Sequence, residues 1–325
     1  MAKAKLEVTT SLDRERSDMK KSRIVVIGAG AVGSTTAYTL LLRNRMDELV
    51  LIDANEKKAI GDALDMNHGM PFLGGTKVWA GTYEDCKGAD IIIITAGVAQ
   101  RPGEERIQLL KRNVAIFDQI IDEVLKYNDD GILLIASNPV DVMSYFSLRK
   151  SRWPVNRVIG SGTLLDSARF RYLIGEELNI DPRSVHAPII GEHGDSELPV
   201  WSLSNVAGTE LGLNDEQKER IFTGTRDAAY QIIEAKGATY YAIALALDRI
   251  CTAILQDEGA VLNVSTLLDN YLGVSDVYIG VPCVVDRSGI RNVLELTLSD
   301  EETALFQKSA NKLKGLIESI RDEME

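Results

Sequence analysis

The sequence predicts an α/β fold, a doubly wound parallel sheet followed by a mixed α+β domain. Three observations carry that prediction. Short, wholly apolar runs such as Ile24–Ile27, Ile91–Ile94 and Ile132–Ile135 have the length of strands buried on both faces. Stretches of helical length separate these runs throughout the first half, the alternation of a parallel sheet with crossover helices. A glycine-rich turn, Gly28-Ala29-Gly30-Ala31-Val32-Gly33, joins the first run to the first helix. With 325 residues, 45% of them hydrophobic, the chain has material for a large core or two domains.

Composition narrows the partners. The formal net charge is −12 and no basic block offsets it, so nucleic acid is not an expected partner. No apolar run reaches the roughly 18–20 residues of a membrane span. Residues 1–21 are polar, lack the apolar core of a secretory signal, and read as a flexible arm or as tag and leader. Cys86, Cys251 and Cys283 show neither paired nor metal-like spacing, which points to reduced thiols and the cytoplasm, and no metal site is expected. The expected organisation is an arm over 1–21, a dinucleotide-binding domain over 22–160 and a substrate domain over 161–325.

In chain order, Ile24–Ile27 is the first strand and Ser34–Leu42 the first helix. Glu48–Asp53 is a second strand ending in an acid. The spacing matches a Rossmann-type dinucleotide site. Gly28 permits the tight turn, Gly30 lets a pyrophosphate approach the backbone, and Gly33 lets helix and strand pack closely, with the helix N-terminus facing the phosphates. Asp53 can accept the ribose hydroxyls and would repel a 2′-phosphate, so NAD is favoured over NADP. Thr76–Ala80 and Ala89–Thr95 read as strands, Glu104–Tyr127 as helix, Gly131–Ala136 as strand, Asp141–Lys150 as helix and Val155–Ile159 as strand. Asp53, Gly97 and Asn138 all follow strand ends and should share one crevice. The second half changes texture: a helix over Leu164–Leu178, short strands around His186–Ile190, helices over Asn214–Lys236 and Ala238–Gln256, and strands over Val277–Val285 and Val293–Leu298. Ser299–Glu302 has a capping-box pattern that opens a last helix.

The stretch Gly191-Glu192-His193-Gly194-Asp195 carries the chemistry. A histidine between near-neighbour glycines is poorly placed for packing, and an imidazole pKa of about 6.5 suits proton exchange near neutrality. It reads either as a polar turn residue or as an acid–base group. Asp166 and Arg169 lie three apart on one helix face. Asp166 could orient His193, and Arg169 could clamp a carboxylate through two parallel hydrogen bonds; the alternative is a surface ion pair. The glycine- and proline-punctuated loop Gly97–Arg106 reads as a mobile lid or an ordinary polar loop.

These motifs together resemble the lactate/malate dehydrogenase family over almost the whole chain from Arg23 onward. They are Gly28–Gly33 with Asp53, Thr95-Ala96-Gly97, Pro102–Arg106, Ser137–Asp141, Gly160–Arg169, Gly191–Asp195 and Lys236–Thr239. Within the family the similarity is greatest to bacterial L-lactate dehydrogenases activated by fructose 1,6-bisphosphate. The resemblance implies His193 as proton donor paired with Asp166, Arg169 as carboxylate anchor and Arg106 as the group that polarises the carbonyl. Asn138 and Thr239 would contact substrate. Gly28, Gly30, Val32, Gly33, Asp53, Thr95, Ala96, Gly97 and Asn138 would hold NAD. Oxaloacetate-reducing members carry an arginine two residues before the loop proline. With Pro102 as reference that position is Gln100, which favours pyruvate and L-lactate, although Arg101 is adjacent and a slip of one residue reverses the choice. Arg171 and His186 match a bisphosphate site at a subunit interface, and a homotetramer is implied. Malate dehydrogenase, an NAD-dependent glycosidase and a non-catalytic NAD-binding protein remain alternatives.

Overall fold

A computed structural model describes residues 21–98 and 105–321 of the chain. The expected arm therefore lies almost wholly outside the described residues, as do Gln100 and Arg101. The first half runs β1 (Arg23–Ile27), α1 (Ala31–Arg43), β2 (Glu48–Ile52), α2 (Glu56–His68), β3 (Lys77–Ala80), β4 (Ile91–Ile94), α3 (Arg106–Leu125), β5 (Ile132–Ile135), α4 (Val140–Ser151) and β6 (Val158–Gly160). Its six strands lie in the order β3-β2-β1-β4-β5-β6, and each neighbouring pair is parallel. Every residue of β2, β4 and β5 is buried, which accounts for the unbroken apolar sequence of β4 and β5 and of β2 after Glu48, whose carboxylate pairs with Arg23 at 2.6 Å. The strand order reverses between β1 and β4, and there the crossovers diverge to leave a crevice beyond the carboxyl ends.

The second half contains α5 (Leu164–Leu178) and five two-residue strands: β7 (Val185–His186), β8 (Ile189–Ile190), β9 (Leu198–Pro199), β10 (Asn205–Val206) and β11 (Thr209–Glu210). It continues with α6 (Asp215–Lys236), α7 (Tyr241–Leu255), β12 (Ala260–Leu268), β13 (Val277–Asp286), β14 (Gly289–Val293) and α8 (Asp300–Glu318). The last three strands do not form a separate sheet. β12 pairs antiparallel with β6 at Ser265 and Gly160, and β13 and β14 follow, extending the sheet to nine strands. One large apolar core runs along this sheet, and a smaller one around Phe170, Ile174, Val185 and Ile221 packs α5 against α6. Among the described residues no helix is long and apolar enough to cross a membrane.

Several expectations change. α2 and β12 were not anticipated. The core side of α2 presents Ala59, Ala63 and Met66, a stripe with little apolar mass. The strand expected at Val293–Leu298 instead ends at Val293. Leu294 N–H still reaches the Pro282 carbonyl oxygen at 2.9 Å. Pro282 has no N–H to return the bond, so the ladder stops. The Leu294 carbonyl oxygen accepts from Tyr271 Oη instead, at 2.9 Å. The helix expected from Ala238 begins at Tyr241, after an αL glycine cap at Gly237. The capping box at Ser299 and Glu302 is formed.

Candidate active site

At the sheet's reversal point, the turn after β1 is built around contacts that admit no side chain. Gly28 has φ +103°, and a Cβ there would meet the Ala96 backbone at 2.6 Å. A Cβ on Gly33 would overlap the Gly28 carbonyl oxygen, which already accepts from Thr95 Oγ1 at 2.7 Å. Gly30 differs: it caps α1, and a Cβ there would enter open space. That opening lies at a helix N-terminus, whose unpaired N–H groups favour a phosphate. Val32 lies half-buried in the first turn of α1. Asp53, just beyond β2, accepts from Ala29 N–H at 2.6 Å and from Asn55 N–H at 2.7 Å, which fixes its carboxylate beside the glycine turn.

The far side of the crevice comes from the ends of β4 and β5. Ala96 is half-buried and Gly97 exposed. Ser137 Oγ donates to the Ala96 carbonyl oxygen at 2.5 Å, while Asn113 accepts from Val98 N–H at 3.0 Å and donates to the Asn138 carbonyl oxygen at 3.4 Å. These bonds tie the two strand ends together and leave the exposed Asn138 at the rim. Arg106 is the first residue of α3, and Gln100 lies outside the described residues.

His193 is held over the crevice by its loop. Gly191, at φ +99°, exchanges two backbone hydrogen bonds with Gly280 on β13 (2.9 and 3.0 Å). Glu192 N–H donates to Ser309 Oγ on α8 at 2.9 Å, and His193 N–H donates to Asp141 Oδ2 on α4 at 2.8 Å. Asp141 also accepts a short bond from Ser265 on β12. Burial pushes the Asp141 carboxyl up to about 6 against these donors. Before the loop, Asn263 on β12 donates to the Ile189 carbonyl oxygen (3.1 Å) and to Ser167 Oγ on α5 (2.7 Å).

Asp166 is the centre of the constellation. Its side chain is 2% exposed, accepts from His193 Nδ1 at 2.5 Å through Oδ2, and accepts from Arg169 at 2.9 Å through Oδ1. Burial would raise its pKa, but the cations of His193 and Arg169 hold it below the ordinary carboxylate value. An ionised Asp166 makes Nδ1 the donor and leaves Nε2 as the exchangeable position. Burial disfavours the His193 imidazolium, yet Asp166, with Asp141 and Glu197 behind it, carries the pKa up to about 9. The His193 side chain keeps 24% exposure, so a largely protonated acid faces the crevice at neutral pH. Arg169, 13% exposed, uses one of its five N–H groups on Asp166.

Thr239 lies half-buried in the link between α6 and α7. Arg171 and His186 line one cavity of about 710 Å³ together with Arg249 and apolar residues of α5, α7 and β12. Among the described residues Arg171 Nε is buried without a hydrogen-bond partner, while Nη2 donates to the Pro182 and Arg183 carbonyl oxygens. Sequence reasoning assigned no role to Asp141, Ser265, Asn263 or Glu197. Asp141 lay within a quoted motif, but the other three become visible only when the strands and the loop are brought together.

Comparison with known proteins places these features in a family. The lactate/malate dehydrogenase NAD-binding domain matches residues 22–160, and the alpha/beta C-terminal domain of the same family matches residues 163–324. L-lactate dehydrogenase of Acetivibrio thermocellus is 50% identical over 307 residues, covering 92% of this chain and 97% of that protein. L-lactate dehydrogenase of Halalkalibacterium halodurans is 52% identical over 304 residues, covering 93% and 98%. The crystal structure of the minor L-lactate dehydrogenase of Enterococcus mundtii superposes with a TM-score of 0.91 at 41% identity, covering 93% of this chain and 99% of that one.

Proposed function

The chain belongs to the lactate/malate dehydrogenase family, and from that premise we propose that it acts as an NAD-dependent L-lactate dehydrogenase, interconverting pyruvate and L-lactate with His193 as the proton donor and acceptor. The observation that carries the reading is Asp166 bonded at once to an imidazole and a guanidinium. That pairing supports reading His193 as a proton donor beside a cation, Arg169, able to bind a carboxylate, as reduction of a 2-keto acid requires.

The glycine turn fits NAD. Gly28, Gly30, Val32 and Gly33 would take the pyrophosphate at the N-terminus of α1, and Asp53 the ribose hydroxyls. Thr95, Ala96, Gly97 and Asn138 would line the rest of the crevice. When bound, the cofactor would supply the hydride for the carbonyl carbon, and in its oxidised form would take it up in the reverse direction. His193 Nε2 delivers the proton to the carbonyl oxygen, while Asp166 stabilises the imidazolium before transfer and fixes its orientation. Arg169 anchors the substrate carboxylate through two parallel hydrogen bonds. Asn138 and Thr239 bound the pocket. Arg106 polarises the carbonyl from its position at the end of the lid motif, and Gln100, in place of an arginine, favours a substrate with one carboxylate.

The same reading divides the chain into a cofactor domain over 22–160 and a substrate domain over 161–325, preceded by an arm. Arg171 and His186 line a cavity with Arg249, which is paired with Glu258 at 2.6 Å, and the two arginines suit it to a bisphosphate such as fructose 1,6-bisphosphate. A homotetramer with that anion at a subunit interface is the assembly we propose. The three cysteines are buried and unpaired, in keeping with a cytoplasmic location.

The test is the pH dependence of each direction. Pyruvate reduction needs protonated His193, so kcat/KM should hold level up to about pH 7 and fall towards and through about pH 9. Lactate oxidation needs neutral His193 and should rise through the same range. Asp166→Asn removes the charge that raises the imidazole pKa, so both limbs should move down by at least one pH unit, with kcat falling about 10²-fold or more. Limbs that stay in place in the variant would remove His193 from its role.

A further inference from the structure

The His193 loop delivers a second carboxyl group to the site. Four residues on, Glu197 N–H closes a turn on the Gly194 carbonyl oxygen at 3.1 Å. Glu197 is 7% exposed, and its Oε1 is buried without a hydrogen-bond partner among the described residues. A bare carboxylate oxygen in such a place is unfavourable, and the group tends to neutralise. Its charged surroundings come from several elements. Asp166 and Arg169 face it from α5, Arg226 from α6, and His193 from its own loop. Asp141 of α4 stands behind His193, and Glu192 is paired with Lys312 of α8 at 2.7 Å. Burial, followed by the charge of Asp166, pushes the Glu197 carboxyl up to about 8 despite the nearby cations.

We propose that Glu197 is a positioning residue that carries the second proton of substrate binding: it holds a proton while an anionic substrate occupies Arg169 and gives it up from the empty site in alkaline solution. The proposal rests on the assignment of Arg169 as the carboxylate anchor. A substrate carboxylate adds negative charge beside Asp166 and an ionised Glu197. Protonating Glu197 removes that repulsion and leaves Arg169 and His193 to face the anion with one carboxylate fewer opposing. Binding therefore draws protons to two groups, Glu197 and His193, whose titrations overlap. Asp141, at about 6, titrates below that range.

The experiment measures binding of oxamate, a pyruvate-shaped monoanion, to the NADH complex from pH 7 to 10. Proton uptake is counted with an indicator dye, and Kd is followed by NADH fluorescence in the wild type and in Glu197→Gln. Each proton taken up steepens Kd by about tenfold per pH unit. The wild type should take up more than one proton per site above pH 9, with Kd rising more than tenfold per unit. Glu197→Gln should take up at most one, rise no more than tenfold per unit, and bind oxamate more tightly than wild type at pH 10. A wild-type uptake that never exceeds one overturns the proposal whether or not the variant folds. So does a variant that loses affinity evenly at all pH values with its slope unchanged. Arg169→Lys separates the underlying reading: unaltered oxamate binding there removes the anchor itself, independently of Glu197.

Discussion

Asp166 restrains two cations with one buried carboxylate, and their charges in turn keep that carboxylate ionised. Removing either partner leaves a buried anion half-compensated, so substitutions here act on electrostatics before they act on packing. Arg169 illustrates the point. Lysine keeps the positive charge and can still reach Asp166, but it lacks the planar fork that grips a carboxylate. Arg169→Lys should raise KM for pyruvate about 10- to 100-fold, the scale of one or two charge-assisted hydrogen bonds, with a smaller fall in kcat. Steady-state kinetics reads this directly, and an unchanged KM would contradict the anchor. His193, Asp166 and Arg169 were legible in the sequence because their chemistry is written locally, as a histidine among glycines and an i,i+3 pair. Ser265 and Glu197 were not. Ser265 bonds Asp141, 124 positions away, and Glu197 has the composition of any polar loop residue until its burial is seen.

At the scale of elements, the glycine turn shows two separate uses of a missing side chain. Gly33 is required by the protein's own backbone, since a Cβ there would overlap the Gly28 carbonyl oxygen and lie 2.6 Å from Thr95 Oγ1. Gly30 faces open space and is required only by what approaches from outside. Gly33→Ala should therefore cost about 1–3 kcal/mol of stability, as overpacking does. Gly30→Ala should stay within about 0.5 kcal/mol of wild type. Both should weaken NADH binding. Thermal melting beside fluorescence titration separates them, and equal melting temperatures would contradict the distinction. Uniformly apolar strands and capped helices such as Asp300–Glu318 were legible for local reasons. The α2 helix was missed because its buried face is mostly alanine. The end of β14 was misplaced because Val293–Leu298 alternates like a strand, whereas its termination depends on the missing N–H of Pro282 across the ladder.

At the scale of the whole molecule, the parallel half was legible because every strand but β4, which returns beside β1, pairs with its predecessor across a single crossover. The extension of the sheet was not: β12 meets β6 at Ser265 and Gly160, a pairing 105 positions apart, as the residue numbers give. That junction has functional weight, because β12 brings Ser265 to Asp141 and Asn263 to the approach of the His193 loop. The larger core draws residues from both halves, and in the proposed reading the glycine turn, His193 and Arg169 share the crevice between strand ends and loop. From α5 the cavity around Arg171 is lined by Leu164, Leu165, Ser167, Ala168 and Arg171, not by Asp166 or Arg169, which supports the separate anion site proposed above. In the proposed function the assembled crevice reduces a keto acid with one carboxylate. The most direct measurement is the rate of NADH oxidation by the purified protein with pyruvate and with oxaloacetate at pH 7. The expected result is a kcat/KM for pyruvate at least about 10²-fold above that for oxaloacetate, the scale of leaving a second carboxylate unpaired. Equal or greater turnover of oxaloacetate would contradict the assignment of Gln100 and of the substrate.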